Sequence, residues 1–384
     1  MVEPKLFQPI KLGDILLKHR IVMAPLTRIR ADVNHVPLPH VQEYYAQRAS
    51  VPGTLLISEA TCIAPRAGGS AHIPGIWSEE QIAAWKQIAD AVHAQGSFMF
   101  LQLWALGRAA RPSDLKLEDP SFPYISASDI PLRERQSTDI RPRPLTVPEI
   151  KGYVELYRIA ASNAIHKAGL DGVEIHNANG YLLDQFLQDV SNVRTDDYGG
   201  SPENRARFSL EVVDAVVAAV GPKKTGIRIS PWNTYQNMGM EDPRPTFAHF
   251  VYEVVARHPE LAYIHAIEPR VDATVLRPAI PEGWSNDFLR DIWASPASQR
   301  RFISAGGYTR ALALDFSEAK DDIIAFGRQF ISNPDLPDRL LYDIPLAAYD
   351  RKFFYAPGSS DPKGYTDYPF AEQDVKFRPL DSHF

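Results

Sequence analysis

Eight short apolar runs, each bounded by glycine, proline or polar residues, recur along the chain, and a stretch of helical periodicity separates most of them. They are Ile21-Val22-Met23, Leu55-Leu56-Ile57, Phe98-Met99-Phe100-Leu101, Val173-Glu174-Ile175, Gly226-Ile227-Arg228-Ile229, Tyr263-Ile264-His265, Phe302-Ile303-Ser304 and Ile323-Ile324-Ala325-Phe326. Short buried strands alternating with helices are the pattern of parallel strands joined by crossovers. Eight such units predict an α/β fold, a single closed (β/α)8 TIM barrel. A Rossmann sheet is the competitor, but no G-x-G-x-x-G follows the first strand or occurs elsewhere.

Helix starts are marked as well. Thr146 with Glu149 and Ser78 with Gln81 have capping-box spacing, and Ser201-Pro202 places proline at a first helical position. Across 147–168, Ile150, Val154, Leu156, Tyr157, Ile159 and Ala160 form an apolar face suited to packing on a sheet. Phe7 to Leu17 alternates loosely around Leu12-Gly13-Asp14, which predicts a hairpin within 1–19 that plugs the barrel floor. The Pro-, Ser- and charge-rich segment 107–143 lacks periodicity and follows the third strand on the side where barrel active sites lie, so it reads as a lid. The whole chain, 1–384, then reads as one domain.

Composition removes several function classes. The net charge of -6 comes without a Lys/Arg stripe, which argues against nucleic acid or an anionic membrane as partner. A single cysteine, Cys62, allows no internal disulfide and no Cys-rich zinc or iron–sulfur site, and it fits a reducing compartment. Met1-Val2-Glu3-Pro4-Lys5 lacks a basic region leading into an apolar stretch, no apolar run has membrane-spanning length, and Asp381-Ser382-His383-Phe384 matches no address signal. The expected location is cytoplasmic, with the protein a monomer or homodimer.

In a β/α barrel the chemistry sits at the C-terminal ends of the strands. There the sequence places Pro25-Leu26-Thr27, Glu59-Ala60-Thr61, Gln102-Leu103-Trp104, His176 through Tyr181, Ala305-Gly306-Gly307 and Gly327-Arg328, with Arg228 inside the fifth run. This set offers hydrogen bonds and cations with little negative charge, which suits a flat, polar, anionic ligand and not a hard metal. No metal site is expected, since His265 and Glu268 stand isolated, and no strand-end lysine suits Schiff-base work. Gly306, Gly307, Gly327 and Arg328 fit either plain turns or a phosphate between strands seven and eight. His176 and Asn179 fit either structural roles or a pair of donors to a carbonyl oxygen. Tyr181 is either packing or a neutral proton donor, and Trp104 either core or cavity wall. Arg228 requires a buried partner.

Together these residues resemble the Old Yellow Enzyme family of FMN-dependent ene-reductases, nearly end to end. The resemblance is carried by Ala24-Pro25-Leu26-Thr27-Arg28, Gln102-Leu103-Trp104, His176 to Phe186, and Ser191 through Arg205. It implies FMN as cofactor, with NADPH (or NADH) as hydride donor to an α,β-unsaturated carbonyl substrate. Thr27, Gln102 and Arg228 would bind the ring, Pro25, Leu26 and Ala60 line it, and Gly306, Gly307, Gly327 and Arg328 hold the phosphate. His176 and Asn179 would clamp the substrate carbonyl, with Tyr181 as proton donor and Tyr355 a substrate-facing aromatic. Ala60 and Asn177 depart from the family pattern without removing a group the mechanism needs. Segments such as Pro74 to Glu79 look most like the fungal branch, which includes chanoclavine-I aldehyde reductases of ergot-alkaloid metabolism. In that branch tyrosine at position 181 accompanies reduction and phenylalanine isomerisation. A redox-neutral isomerase and a non-catalytic flavin binder are the alternatives.

Overall fold

The computed structural model describes residues 3–135, 140–272, 275–293 and 300–372. All eight expected runs are strands: β1 (Ile21–Met23), β2 (Leu55–Ile57), β3 (Phe98–Trp104), β4 (Gly172–Asn177), β5 (Thr225–Ile229), β6 (Tyr263–Ile267), β7 (Arg301–Ala305) and β8 (Ile323–Phe326). Each pairs in parallel with its neighbours in chain order, and β8 returns to β1, closing the barrel. The crossover helices are α1 (His40–Arg48), α2 (Glu79–Ala94), α3 (Val147–Ser162), α4 (Pro202–Val220), α5 (Arg244–Arg257), α6 (Asp287–Trp293) and α7 (Arg310–Lys320). After β8 come α8 (Arg328–Ser332) and α9 (Leu336–Leu341).

The helices start where the sequence marks them. The Gln81 N–H donates to Ser78 Oγ, and Gln81 Oε1 accepts from the Ser78 N–H, so each residue satisfies an orphan group of the other. Glu149 accepts from the Thr146 N–H over 2.8 Å at the start of α3, and Ser201 caps α4 ahead of Pro202. One expectation fails: Ile159 is 39% exposed. The packed stripe of α3 runs through Ile150, Tyr153, Tyr157, Ala160 and Ala161, and a residue one position before Ala160 lies about 100° around the helix from it.

Strand alternation sends Val22, Leu55, Ile57, Phe100, Tyr263, Ile303, Ile323 and Ala325 into one interior cluster, while a second, larger cluster fills the space between strands and helices. The interior depends on Gly226, where an added Cβ would lie 2.2 Å from the Tyr263 ring. Without it that ring could not lie across β5 and pack 5.7 Å from Phe100. The expected hairpin, Ile10–Leu12 against Ile15–Leu17, contributes Ile10, Leu12 and Leu17 to the same cluster and so closes the barrel floor.

Segment 107–143 follows β3 and holds a short helix, Pro112–Glu118, and a bridge strand, Ile125–Ser126, paired with Arg143–Pro144. Residues 136–139 and 381–384 lie outside the described residues. Arg108 donates to the Gln236 carbonyl over 3.0 Å and the Arg133 N–H to Asn237 Oδ1 over 2.6 Å, so the segment braces the loop after β5. None of its described residues lines the cavity at the barrel mouth. Among the described residues no helix is long and apolar enough to cross a membrane.

Candidate active site

The C-terminal ends of the strands surround a cavity of about 560 Å³. Every site residue expected from the sequence lines it: Pro25, Leu26, Thr27, Ala60, Gln102, Trp104, His176, Asn179, Tyr181, Arg228, Gly306, Gly307, Gly327, Arg328 and Tyr355. The loop after β1 is held by the loop after β2, because Glu59 Oε2 accepts the backbone N–H groups of Arg28 and Ile29 at 3.0 and 3.1 Å. That bond fixes Pro25, Leu26 and Thr27 beside Ala60.

His176, Asn179 and Tyr181 converge on one wall. The Tyr181 ring stands 4.9 Å from the rings of both His176 and Trp104, edge-on to each. The turn that brings them together is tightly held: Asn179 takes φ 58°, Asp184 accepts from the Gly180 N–H over 2.8 Å, and Gln185 Nε2 donates to the Gly180 carbonyl over 2.7 Å. Burial drives the His176 pKa well below its ordinary value, and the Arg228 and His265 charges add to that effect, so the imidazole is neutral at pH 7. Burial raises the Tyr181 phenol, helped by Tyr235 and Tyr355, so it stays protonated.

On the other side Gly307 takes φ 64°, a backbone conformation that favours glycine, and a Cβ there would lie 2.4 Å from Leu276 Cδ2 and push that side chain aside. Gly327 precedes α8, and the Arg328 guanidinium lies 5.5 Å from the Tyr349 ring centre.

The sequence reading missed several groups. Tyr235, Leu276, Tyr349 and Phe354 complete the mouth. The larger omission is Glu174, which lies inside β4 behind the cavity wall, while no acidic side chain among the described residues lines the cavity itself. Its carboxylate is fully buried, accepting from Gln102 Nε2 over 2.7 Å and pairing with His265 Nδ1 over 2.8 Å. Burial raises its pKa, but His265, Arg228 and Gln102 outweigh that and hold it below the ordinary carboxylate value. An alternating strand that buries a glutamate signals a partner as plainly as Arg228 does, yet the partner lies on another strand.

Four buried polar atoms on the cavity wall have no protein partner among the described residues: Trp104 Nε1, His176 Nδ1, Arg228 Nε and Gln329 Oε1. Each costs about 1–3 kcal/mol unless a ligand satisfies it. A planar ligand rich in carbonyl and ring-nitrogen atoms and carrying ring or hydroxyl hydrogens, ending in a phosphate, matches these donors and the Gln329 acceptor, so the residues fit FMN. Fold and site together define a barrel oxidoreductase with a flavin at its mouth.

The chain belongs to the NADH:flavin oxidoreductase / NADH oxidase family, whose model matches residues 5–347. It is 50% identical over 378 residues to the chanoclavine-I aldehyde reductase fgaOx3 of Penicillium roqueforti, covering 97% of this chain and 98% of that one. It is 48% identical over 382 residues to the NADP-dependent oxidoreductase lnbE of Aspergillus flavus, covering 98% and 99%. Among solved structures, Old Yellow Enzyme from Pichia superposes with a TM-score of 0.85 at 38% identity, covering 96% of this chain and 94% of that one.

Proposed function

We propose that the protein reduces the carbon–carbon double bond of α,β-unsaturated aldehydes or ketones, with FMN in the barrel mouth and NADPH (or NADH) as hydride source. The observation that carries this reading is the convergence of neutral His176, Asn179 and Tyr181 on one wall of a cavity whose other walls suit a flavin. Thr27, Gln102 and Arg228 would contact the ring, Pro25, Leu26 and Ala60 would line it, and Gly306, Gly307, Gly327 and Arg328 would hold the phosphate, all of them residues of the cavity wall.

Bound there, FMN supplies the hydride that adds to Cβ of the substrate. His176 and the Asn179 amide donate to the carbonyl oxygen, where negative charge develops as Cβ is attacked. Tyr181 gives its proton to Cα, completing net reduction. Trp104 and Tyr355 flank the substrate. The hairpin closes the floor, so nicotinamide and alkene use one opening in turn, which is a ping-pong scheme. Segment 107–143 would influence the mouth indirectly, by steadying the loop after β5 that carries Tyr235. Similarity to fgaOx3 favours an enal of fungal alkaloid metabolism as substrate. The same proposal places the enzyme in the cytosol as a monomer or homodimer.

The test is mass spectrometry of products from a panel of enals and enones with NADPH. A mass gain of two hydrogens across the double bond is expected. Unchanged or merely isomerised products across the panel would refute the reading.

A further inference from the structure

The buried Glu174 has no place in the steps above, and its position calls for one. It lies in the middle of β4, where Gln102 of β3 is its register partner, while Arg228 of β5 stands in register with His176 and His265. Both carboxylate oxygens are committed, one to Gln102 and one to His265. Because Gln102 Nε2 donates one of its hydrogens to Glu174, that bond fixes which end of the amide is nitrogen and leaves Oε1 able to accept from a ring N–H. Arg228 meanwhile gains the only full negative charge among these partners: Glu174 favours its charged form, against burial. A buried carboxylate that touches no substrate is costly, and proteins keep such groups where function needs them.

We infer that Glu174, with His265, is a positioning residue of the flavin site: it fixes the orientation of Gln102 and offsets the charge of Arg228, holding the flavin reduction potential down. Reduced flavin carries more negative charge than oxidised flavin, so Arg228 alone would favour the reduced form strongly. The carboxylate opposes that bias and keeps the bound cofactor a willing hydride donor. This rests on the FMN reading above.

The experiment is spectroelectrochemical titration of the purified holoenzyme and of Glu174→Gln and Glu174→Asp. Glu174→Gln keeps the shape and still accepts from Gln102, but removes the charge. Its preference for reduced over oxidised flavin is expected to rise about tenfold, a positive shift of about 30 mV for a two-electron couple. Glu174→Asp keeps the charge but withdraws it from Gln102, so FMN affinity falls while the potential does not move upward; this variant carries the test if Glu174→Gln does not fold. A Glu174→Gln potential equal to wild type, or a positive shift in Glu174→Asp, overturns the inference. Wild-type protein that purifies without flavin and takes up none would sink the FMN reading instead, so the two failures are distinguishable.

Discussion

Asn233 Nδ2 donates to Asn179 Oδ1 over 2.7 Å, and that bond decides which end of the Asn179 amide faces the cavity. With its oxygen engaged, Asn179 has its NH2 left for a ligand. The backbone is fixed on both sides, since the Asn179 N–H donates to Ser230 Oγ over 2.7 Å and its carbonyl accepts from Gln236 Nε2 over 2.9 Å. Asn233→Ala frees the amide to turn. We expect about a tenfold loss of kcat/KM for an enone, matching roughly 1.4 kcal/mol for one oriented hydrogen bond, with FMN content unchanged. Steady-state kinetics beside a flavin absorbance measurement checks this; an unaltered kcat/KM would mean Asn179 orients itself.

Tyr181→Phe separates the two half-reactions. Reduction of the enzyme by NADPH proceeds as in wild type, while turnover by alkene slows roughly 10²–10⁴-fold, the usual worth of a positioned acid. The phenol pKa is raised by burial and then by Tyr235 and Tyr355, so the proton is retained to higher pH than in a free tyrosine. The alkene half-reaction is therefore flat with pH up to about 10 and falls only beyond it. Stopped-flow traces of each half-reaction test this, and equal slowing of both would assign Tyr181 a structural role.

How far these residues could be read from sequence depends on how local their signals are. Each barrel strand is a short run dominated by apolar residues and its end lies next along the chain, which makes Thr27, Gln102 and Arg328 legible, while Arg228 is legible because a guanidinium inside an apolar run demands a partner. Glu174 and His265 sit in equally plain strands but are separated by 91 positions, and their pairing follows from barrel register, which no local window contains. Tyr235 and Phe354 lie in loops without periodicity. Ile159 looked inward because its helix is apolar over more than one face.

Arg28 ties the end of the described chain to the barrel. Its guanidinium donates to the carbonyls of Phe353, Phe354 and Gly364 and to the Tyr44 hydroxyl, with Tyr44 and Tyr365 stacked 4.1 Å apart beside it. Arg28→Leu leaves three carbonyls without this donor. A loss of about 2–4 kcal/mol is expected, read as a lower Tm, together with early proteolysis between 351 and 369. A Tm at the wild-type value would contradict the anchoring role.

Asp184 gives a pH prediction of definite sign. Burial pushes its carboxyl up to about 7, against the hydrogen bonds from the Gly180 N–H and Gln188. The folded state then binds a proton that the unfolded chain releases near pH 4, so this group's contribution to stability is full below that value and is lost as pH rises through about 7. Asp184→Asn removes the dependence. Denaturation midpoints between pH 4 and 8 should decline less steeply in the variant than in wild type, and parallel curves would exclude Asp184 as the source.

Of the carbonyls that Arg28, Arg30 and Arg48 grip, all but that of Tyr44, held by Arg48, belong to residues 330–365, and Phe354 and Tyr355 of that stretch wall the cavity. The entrance is thus built partly from a stretch that the loop after β1 and helix α1 grip by its backbone, so a change at one of these arginines would reach the rim of the cavity without altering any wall side chain.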